Sequence, residues 1–274
     1  MKKLALITGA TGGIGKTAAM ALAKSGYDLI IQGRDAAKGK TIADEISKAS
    51  GSSVKFIQAD LSLKSGIKTF AEEVKKQTDK IDVLVQSTGT LNAKRRETKE
   101  GMDEGFMVNY FVKFMLDDLL INELKKGEGK IIIVGAPLMK NAKVNFDDLQ
   151  MKNKYGLFPA MGQAMLCVHL HAQEFAKKNG NHPVINVIHP GLVNTGILRN
   201  ASGLMKVMFT IFGPLMNNSP EKAIANVMSL ATGKEHDGSG YFFPKVAKIS
   251  VKDKISQDNA LAEKLWKVSE EIAK

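Results

Sequence analysis

The feature that most limits the fold of this chain is a glycine-rich run near its start. Met1-Lys2-Lys3 leads into an apolar stretch, Leu4 to Ile7, and then into Thr8-Gly9-Ala10-Thr11-Gly12-Gly13-Ile14-Gly15. Glycines in such a run let the backbone turn tightly and approach a pyrophosphate. The helix expected to follow offers free N–H groups and the positive end of its dipole. Placed between a first strand and a first helix, the motif reads as a dinucleotide cradle. The apolar stretch is too short for a secretory leader and runs into Thr8-Gly9 instead of a cleavage site, so a buried first strand is expected.

The rest of the chain repeats that opening. Apolar runs of strand length fall at 4–7, 28–32, 54–58, 83–85, 131–134 and 184–188. Amphipathic stretches lie between them at 17–25, 38–48, 67–77, 103–124 and 162–178. Strands alternating with helices imply right-handed βαβ units. The expected fold is α/β, a single Rossmann-type doubly wound parallel sheet with helices on both faces. At 274 residues the chain suits one such domain over 1–274. The segment 204–216, rich in Met, Phe and Leu, departs from the pattern. It reads as a lid-like insertion near 199–220 over an apolar ligand, ahead of ordinary packing or membrane contact.

The charge balance narrows the partners. The net charge is +11, but only Arg34, Arg95, Arg96 and Arg199 are arginines, and the lysines are scattered. Bidentate reading of bases and phosphates favours clustered arginine, so no nucleic-acid partner is expected. No apolar run is long enough to span a bilayer. A lone cysteine, Cys167, allows no internal disulfide, and a reducing, cytoplasmic setting is expected. His169 and His171, two apart on a helix, point to different faces, and no metal cluster appears.

The second strand ends in Gln32-Gly33-Arg34-Asp35. An acidic residue there would hold a ribose 2′-OH, whereas an arginine accommodates a 2′-phosphate. Arg34, with Lys38 in support, selects NADP(H) over NAD(H), although the adjacent Asp35 points the other way.

On these residues the chain resembles the short-chain dehydrogenase/reductase family, and its retinol-dehydrogenase-like branch in particular. Thr8 to Gly15 fits the family's T-G-x-x-x-G-x-G motif, and Asp60-Leu61 falls where the family places an aspartate near the adenine. Glu104 to Tyr110 resembles the helix carrying a catalytic asparagine, here Asn109. Asn145 to Gln150 is similar to the branch's N-F-x-D-L segment, and Ser239-Gly240-Tyr241-Phe242 to its C-terminal end. His189-Pro190-Gly191-Leu192-Val193-Asn194-Thr195 resembles the P-G-x-V-x-T motif whose threonine meets the nicotinamide amide. The resemblance implies that Gly9, Thr11, Gly12, Gly13, Ile14, Gly15, Arg34, Asp60, Leu61, Ser87, Gly89, Pro190, Gly191, Val193 and Thr195 contact the cofactor. It also implies a homo-oligomer paired through the helices carrying Asn109 and Met161.

The chain departs from the family where the chemistry is done. The family uses Asn, Ser, Tyr and Lys, with tyrosine as general acid or base and a lysine four residues on lowering its pKa. The branch's Y-G-Q-S-K becomes Met161-Gly162-Gln163-Ala164-Met165, and its V-S-S becomes Val134-Gly135-Ala136. Ala136, Met161 and Met165 thus stand at three tetrad positions, and Asn109 alone is retained. Methionine has no titratable proton and donates no hydrogen bond. Tyr155 and Lys113 are the substitute candidates. Tyr155 has Pro159 where a partner lysine would stand, and Lys113, four residues after Asn109, reads first as a surface charge. Lys140 reads as a solvated loop charge, His189 as part of a structural turn, and Cys167 as a small core residue. Three functions follow as expectations. The first is a non-standard or repurposed reductase for a small apolar molecule, such as an iminium reductase or a cyclisation-directing protein. The second is an inactive NADP(H)-dependent binding or regulatory subunit. The third is ordinary alcohol or carbonyl oxidoreduction with replacement groups.

Overall fold

Strand-forming runs rich in Ile, Leu and Val assemble as a seven-stranded sheet in the order β3-β2-β1-β4-β5-β6-β7. The strands are β1 (Leu4–Thr8), β2 (Asp28–Gly33), β3 (Val54–Gln58), β4 (Val83–Gln86), β5 (Lys130–Val134), β6 (Val184–Ile188) and β7 (Tyr241–Phe243). Every pairing is parallel. This computed structural model describes residues 2–137, 141–180, 182–191, 223–233, 238–244 and 258–274. The lid-like insertion expected near 199–220, together with Lys140, Val193 and Thr195, lies outside the described residues.

Side chains alternate across the strands, so the sheet feeds two cores. Leu6, Ile30, Leu84, Ile131 and Ile133 enter one, which is closed by α3 (Lys64–Gln77), α5 (Val112–Leu119), α7 (Leu157–Asn179) and α9 (Asn259–Ala273). Ala5, Ile7, Leu29, Ile31, Val83 and Val85 enter the other, under α1 (Gly13–Lys24), α2 (Ala36–Ser50) and α8 (Ala225–Thr232). Helices therefore cover both faces, as the alternating pattern implies. No helix among the described residues is long and apolar enough to cross a membrane.

The helix expected over 103–124 runs uninterrupted from Glu104 to Leu119, as α4 (Glu104–Phe106), a π turn (Met107–Phe111) and α5, and breaks at Leu120 before α6 (Ile121–Lys126). The wide turn has a local counterpart, because the Val108 carbonyl accepts from the Lys113 ammonium at 2.8 Å. A side chain inserted into the ladder in this way is a recognised cause of helix distortion.

Three further elements, α8, β7 and α9, are absent from the sequence expectation. The last packs on α7, which carries Met161, and its Trp266 meets Phe114 of α5 with ring centroids 5.2 Å apart. Trp266 stacks on His171 with centroids 5.6 Å apart. Tyr110 and Ser269 share a buried hydroxyl hydrogen bond of 2.7 Å.

Candidate functional site

The strand order reverses between β1 and β4, whose carboxyl ends bound the crevice where doubly wound sheets take ligands. The glycine run lies at that crevice. Gly9 and Gly13 have φ of +68° and +53°. A Cβ on Gly9 would stand 3.1 Å from Ser87 Oγ and 3.2 Å from Thr88 N. The Ser87 hydroxyl donates to the Thr8 carbonyl at 2.6 Å, tying β4 to the cradle. Thr11 packs its side chain over Gly33, which has no room for a Cβ. Ile14 packs on the second core and Gly15 is buried. Gly12 caps α1 with no side-chain hydrogen bond, so the protein supplies no side-chain acceptor there. An uncapped helix start in a glycine cradle fits a phosphate.

Gln32 is a cradle residue that sequence reasoning misses. It is buried at the end of β2, accepts from Gly9 N at 2.9 Å and donates to the Ala59 carbonyl at 2.7 Å. The available signal is one polar residue closing an apolar strand.

The far side of the cradle carries two cations. The Arg34 side chain is 71% exposed, with Nη1 3.9 Å from Glu104 Oε1. Lys38 Nζ lies 3.9 Å from where a Cβ on Gly12 would stand. Asp35, the residue that pointed toward a ribose hydroxyl, is the N-cap of α2 and accepts from Lys38 N at 3.0 Å. Asp35→Ala is therefore expected to lower stability by about 1 kcal/mol. It should leave the ratio of NADPH to NADH affinities unchanged, as thermal melts and paired titrations can check. Asp60 turns onto its own loop, accepting from the Ser62 amide and hydroxyl at 3.0 and 2.7 Å, while Leu61 is buried in the first core.

Beyond the end of β4 a pocket is walled by Thr90, Asn92, Phe106, Asn109, Leu149, Tyr155, Leu157, Met161 and Ala164, among others. Asn109, on the π turn, accepts from Thr90 N at 2.8 Å and donates to the Thr90 carbonyl at 3.0 Å. The Tyr155 hydroxyl donates to the Asn92 carbonyl at 2.7 Å. Burial, then the nearby Asp103 and Glu104, pushes the Tyr155 phenol up to about 12. Met165 Sδ lies 3.9 Å from where a Cβ on Gly135 would stand, so residue 165 sits beside the end of β5. The Ala136 carbonyl, just beyond, pairs with His169 Nε2 at 3.1 Å. Gly89 is exposed, and Gly191 takes φ +78° after Pro190.

Lys113 corrects the expectation of a surface charge. It is 1% exposed, and its ammonium donates to the carbonyls of Thr88 and Val108, each at 2.8 Å. Burial pulls it down to about 7, with Asp117 opposing the shift. The two carbonyl acceptors account for its depth, since a buried amine must be hydrogen-bonded. Asp117, also buried, accepts from Gln86 Nε2 at 2.6 Å and pairs with His171 Nε2 at 2.8 Å. His169 and His171 thus engage different partners. The His189 amide donates to the Phe243 carbonyl at 2.9 Å, which ties that turn to β7. Cys167 is fully buried, and burial pushes its thiol well up. No group of metal-binding side chains occurs among the described residues.

Comparison with known proteins agrees with this layout. The family model described as short chain dehydrogenase matches residues 3–146. Polyprenol dehydrogenase from Homo sapiens is 27% identical over 279 residues, spanning 98% of this chain and 84% of the relative. Retinol dehydrogenase 12 from Bos taurus is 31% identical over 274 residues, spanning 98% and 86%. Among solved structures, the Pseudomonas aeruginosa RhlG/NADP active-site complex superposes with a TM-score of 0.70 at 24% identity, covering 89% of this chain and 94% of that one. The chain belongs to the short-chain dehydrogenase family of oxidoreductases, in its retinol-dehydrogenase-like branch.

Proposed function

We propose that this protein binds NADP(H) in the Gly9–Gly15 cradle and serves as a reductase for a small apolar molecule without the family's tyrosine proton donor. The observation that carries the reading is the makeup of the pocket wall. Met161 stands beside Asn109 there, and the pocket's tyrosine hydroxyl, that of Tyr155, is spent on the Asn92 carbonyl.

The preference for the phosphorylated cofactor rests on Arg34 and Lys38 beside the cradle, on Asp35 being engaged as a helix cap, and on NADP in the RhlG complex. Arg34→Ala is expected to weaken NADPH binding about tenfold, the size of one lost charge-assisted contact, with little change for NADH. Fluorescence titration reads both, and equal losses would refute the role given to Arg34.

Bound NADPH supplies a hydride; the protein supplies orientation and surroundings. Asn109 spends its amide on both backbone groups of Thr90 and so shapes the turn beneath the pocket. Phe106, Leu149, Leu157 and Met161 supply the apolar part of the pocket wall, beside the polar side chains of Thr90, Asn92, Asp103 and Gln150. With no titratable donor supplied at 136, 161 or 165, the suited acceptor is one already activated, such as an iminium carbon, which needs no proton at the reacting atom. NADPH turnover is to be measured against matched ketone and iminium panels. Iminium reduction with negligible ketone reduction supports the proposal, and brisk ketone reduction overturns it. Tight NADPH binding with no turnover on either panel selects a second reading, a cofactor-dependent binding protein. The main-chain engagement of both Asn109 and Tyr155 favours that alternative.

A further inference from the structure

A polar ladder runs inward from the pocket wall and is buried at Lys113 and Asp117. Asn109, Lys113 and Asp117 follow one another at four-residue intervals across the π turn and α5. They face the chain that leaves β4, and each meets an alternate residue of it. Asp117 accepts from the Gln86 side chain at 2.6 Å. Lys113 donates to the Thr88 carbonyl at 2.8 Å. Asn109 clasps the amide and carbonyl of Thr90 at 2.8 and 3.0 Å. The rungs run antiparallel, with the helix ascending as the loop descends. The spacing is matched, because four helical residues rise about 6 Å and two extended residues advance about 6.6 Å. On its other side the same loop is fastened to the cradle by the Ser87 hydroxyl on the Thr8 carbonyl.

We propose that Lys113 and Asp117 are positioning residues that, with Asn109, set the register of residues 86–90 against the glycine cradle and thereby fix how tightly the nicotinamide half of the cofactor is held. The inference rests on the dinucleotide reading above. On that reading the nicotinamide half lies toward the pocket that Asn109 and Thr90 line, at the outermost rung of the ladder. Lys113 is the middle rung. It joins the Thr88 carbonyl to the Val108 carbonyl, so it couples the loop to the π turn that carries Asn109. His171 on α7 holds the second carboxylate oxygen of Asp117 at 2.8 Å, which keeps the lowest rung from rotating.

The test compares Lys113→Met, which keeps the apolar stem and removes the donors, with the unaltered protein. Two ligands are titrated: NADPH, and adenosine 2′,5′-bisphosphate, which lacks the nicotinamide half. The expected result is an NADPH affinity reduced about tenfold, with bisphosphate affinity unchanged within twofold. Amide hydrogen exchange of the ligand-free protein should quicken at Thr88 to Thr90 and stay unchanged at Gly13 to Thr17. Equal loss of both ligands, or unchanged exchange at 88–90, overturns the proposal, because a merely structural lysine would weaken the whole fold. Asp117→Asn preserves the shape and carries the same test if the methionine variant does not fold. Its expected loss is about threefold for NADPH and none for the bisphosphate. Failure of the unaltered protein to bind either ligand would refute the cofactor reading instead. The exchange comparison then still decides whether the ladder sets the loop.

Discussion

The combined variant Ala136→Ser, Met161→Tyr and Met165→Lys is expected to raise NADPH-dependent ketone reduction about 10²–10⁴-fold, the usual contribution of general acid–base assistance. Positions 161 and 165 are one helical turn apart on α7, so both side chains lie on one face. Met161 already lines the pocket with Asn109, and Met165 sits beside the end of β5, next to Gly135. An introduced phenol would thus meet the acceptor oxygen, with a serine hydroxyl approaching from β5. A lysine one turn on would favour the phenolate by its charge. Tyr155 offers no such service, because burial and two neighbouring carboxylates push it up to about 12 and its proton is held by the Asn92 carbonyl. Met161→Tyr alone should recover only part of the gain, since an untuned phenol near its ordinary pKa of about 10 is a poorer catalyst at neutral pH. The check is steady-state NADPH oxidation with a ketone panel, alongside melting and cofactor titration. A triple variant that folds, binds NADPH and stays inert would sink the assignment of these three positions.

That expectation depends on how much of the site is legible in the residues alone. The strands are legible because buried parallel strands are near-continuous apolar runs, and all six expected ones appear within a residue or two. The cradle is legible because its glycines stand at one fixed place between β1 and α1. The ladder is not. Asn109, Lys113 and Asp117 at four-residue spacing announce a shared helical face, but the same spacing describes a stripe meant for water. What distinguishes the two is the set of acceptors on the other side. The main-chain groups of Thr88 and Thr90 leave no trace in residue type. Gln32 and Gln86 escape for a related reason. One glutamine at the end of a strand is equally suited to solvent, and only the approach of Gly9 or Asp117 shows its task. β7, at three residues, is too short to show a period, and its register on β6 is a tertiary fact.

Gly15→Ala is expected to weaken NADPH binding about tenfold or more and to lower stability by about 1–3 kcal/mol, the range for an overpacked site. A Cβ there would overlap both the Gly9 carbonyl oxygen and the Ser87 hydroxyl. The hydroxyl can rotate away at the cost of its bond to the Thr8 carbonyl, but the Gly9 oxygen belongs to the cradle backbone and cannot. α1 must then back away from the turn that shapes the phosphate site. The double variant Gly15→Ala with Ser87→Ala relieves only the side-chain overlap and should recover little of the binding. Gly51→Ala is the control. Its φ of +71° makes alanine unfavourable by about 1 kcal/mol, yet the Cβ would point into open space. Loss of stability alone therefore separates from loss of the cradle. Thermal melts and NADPH titrations on the three variants decide it. Retained affinity in Gly15→Ala would mean that the phosphate does not rest on the start of α1.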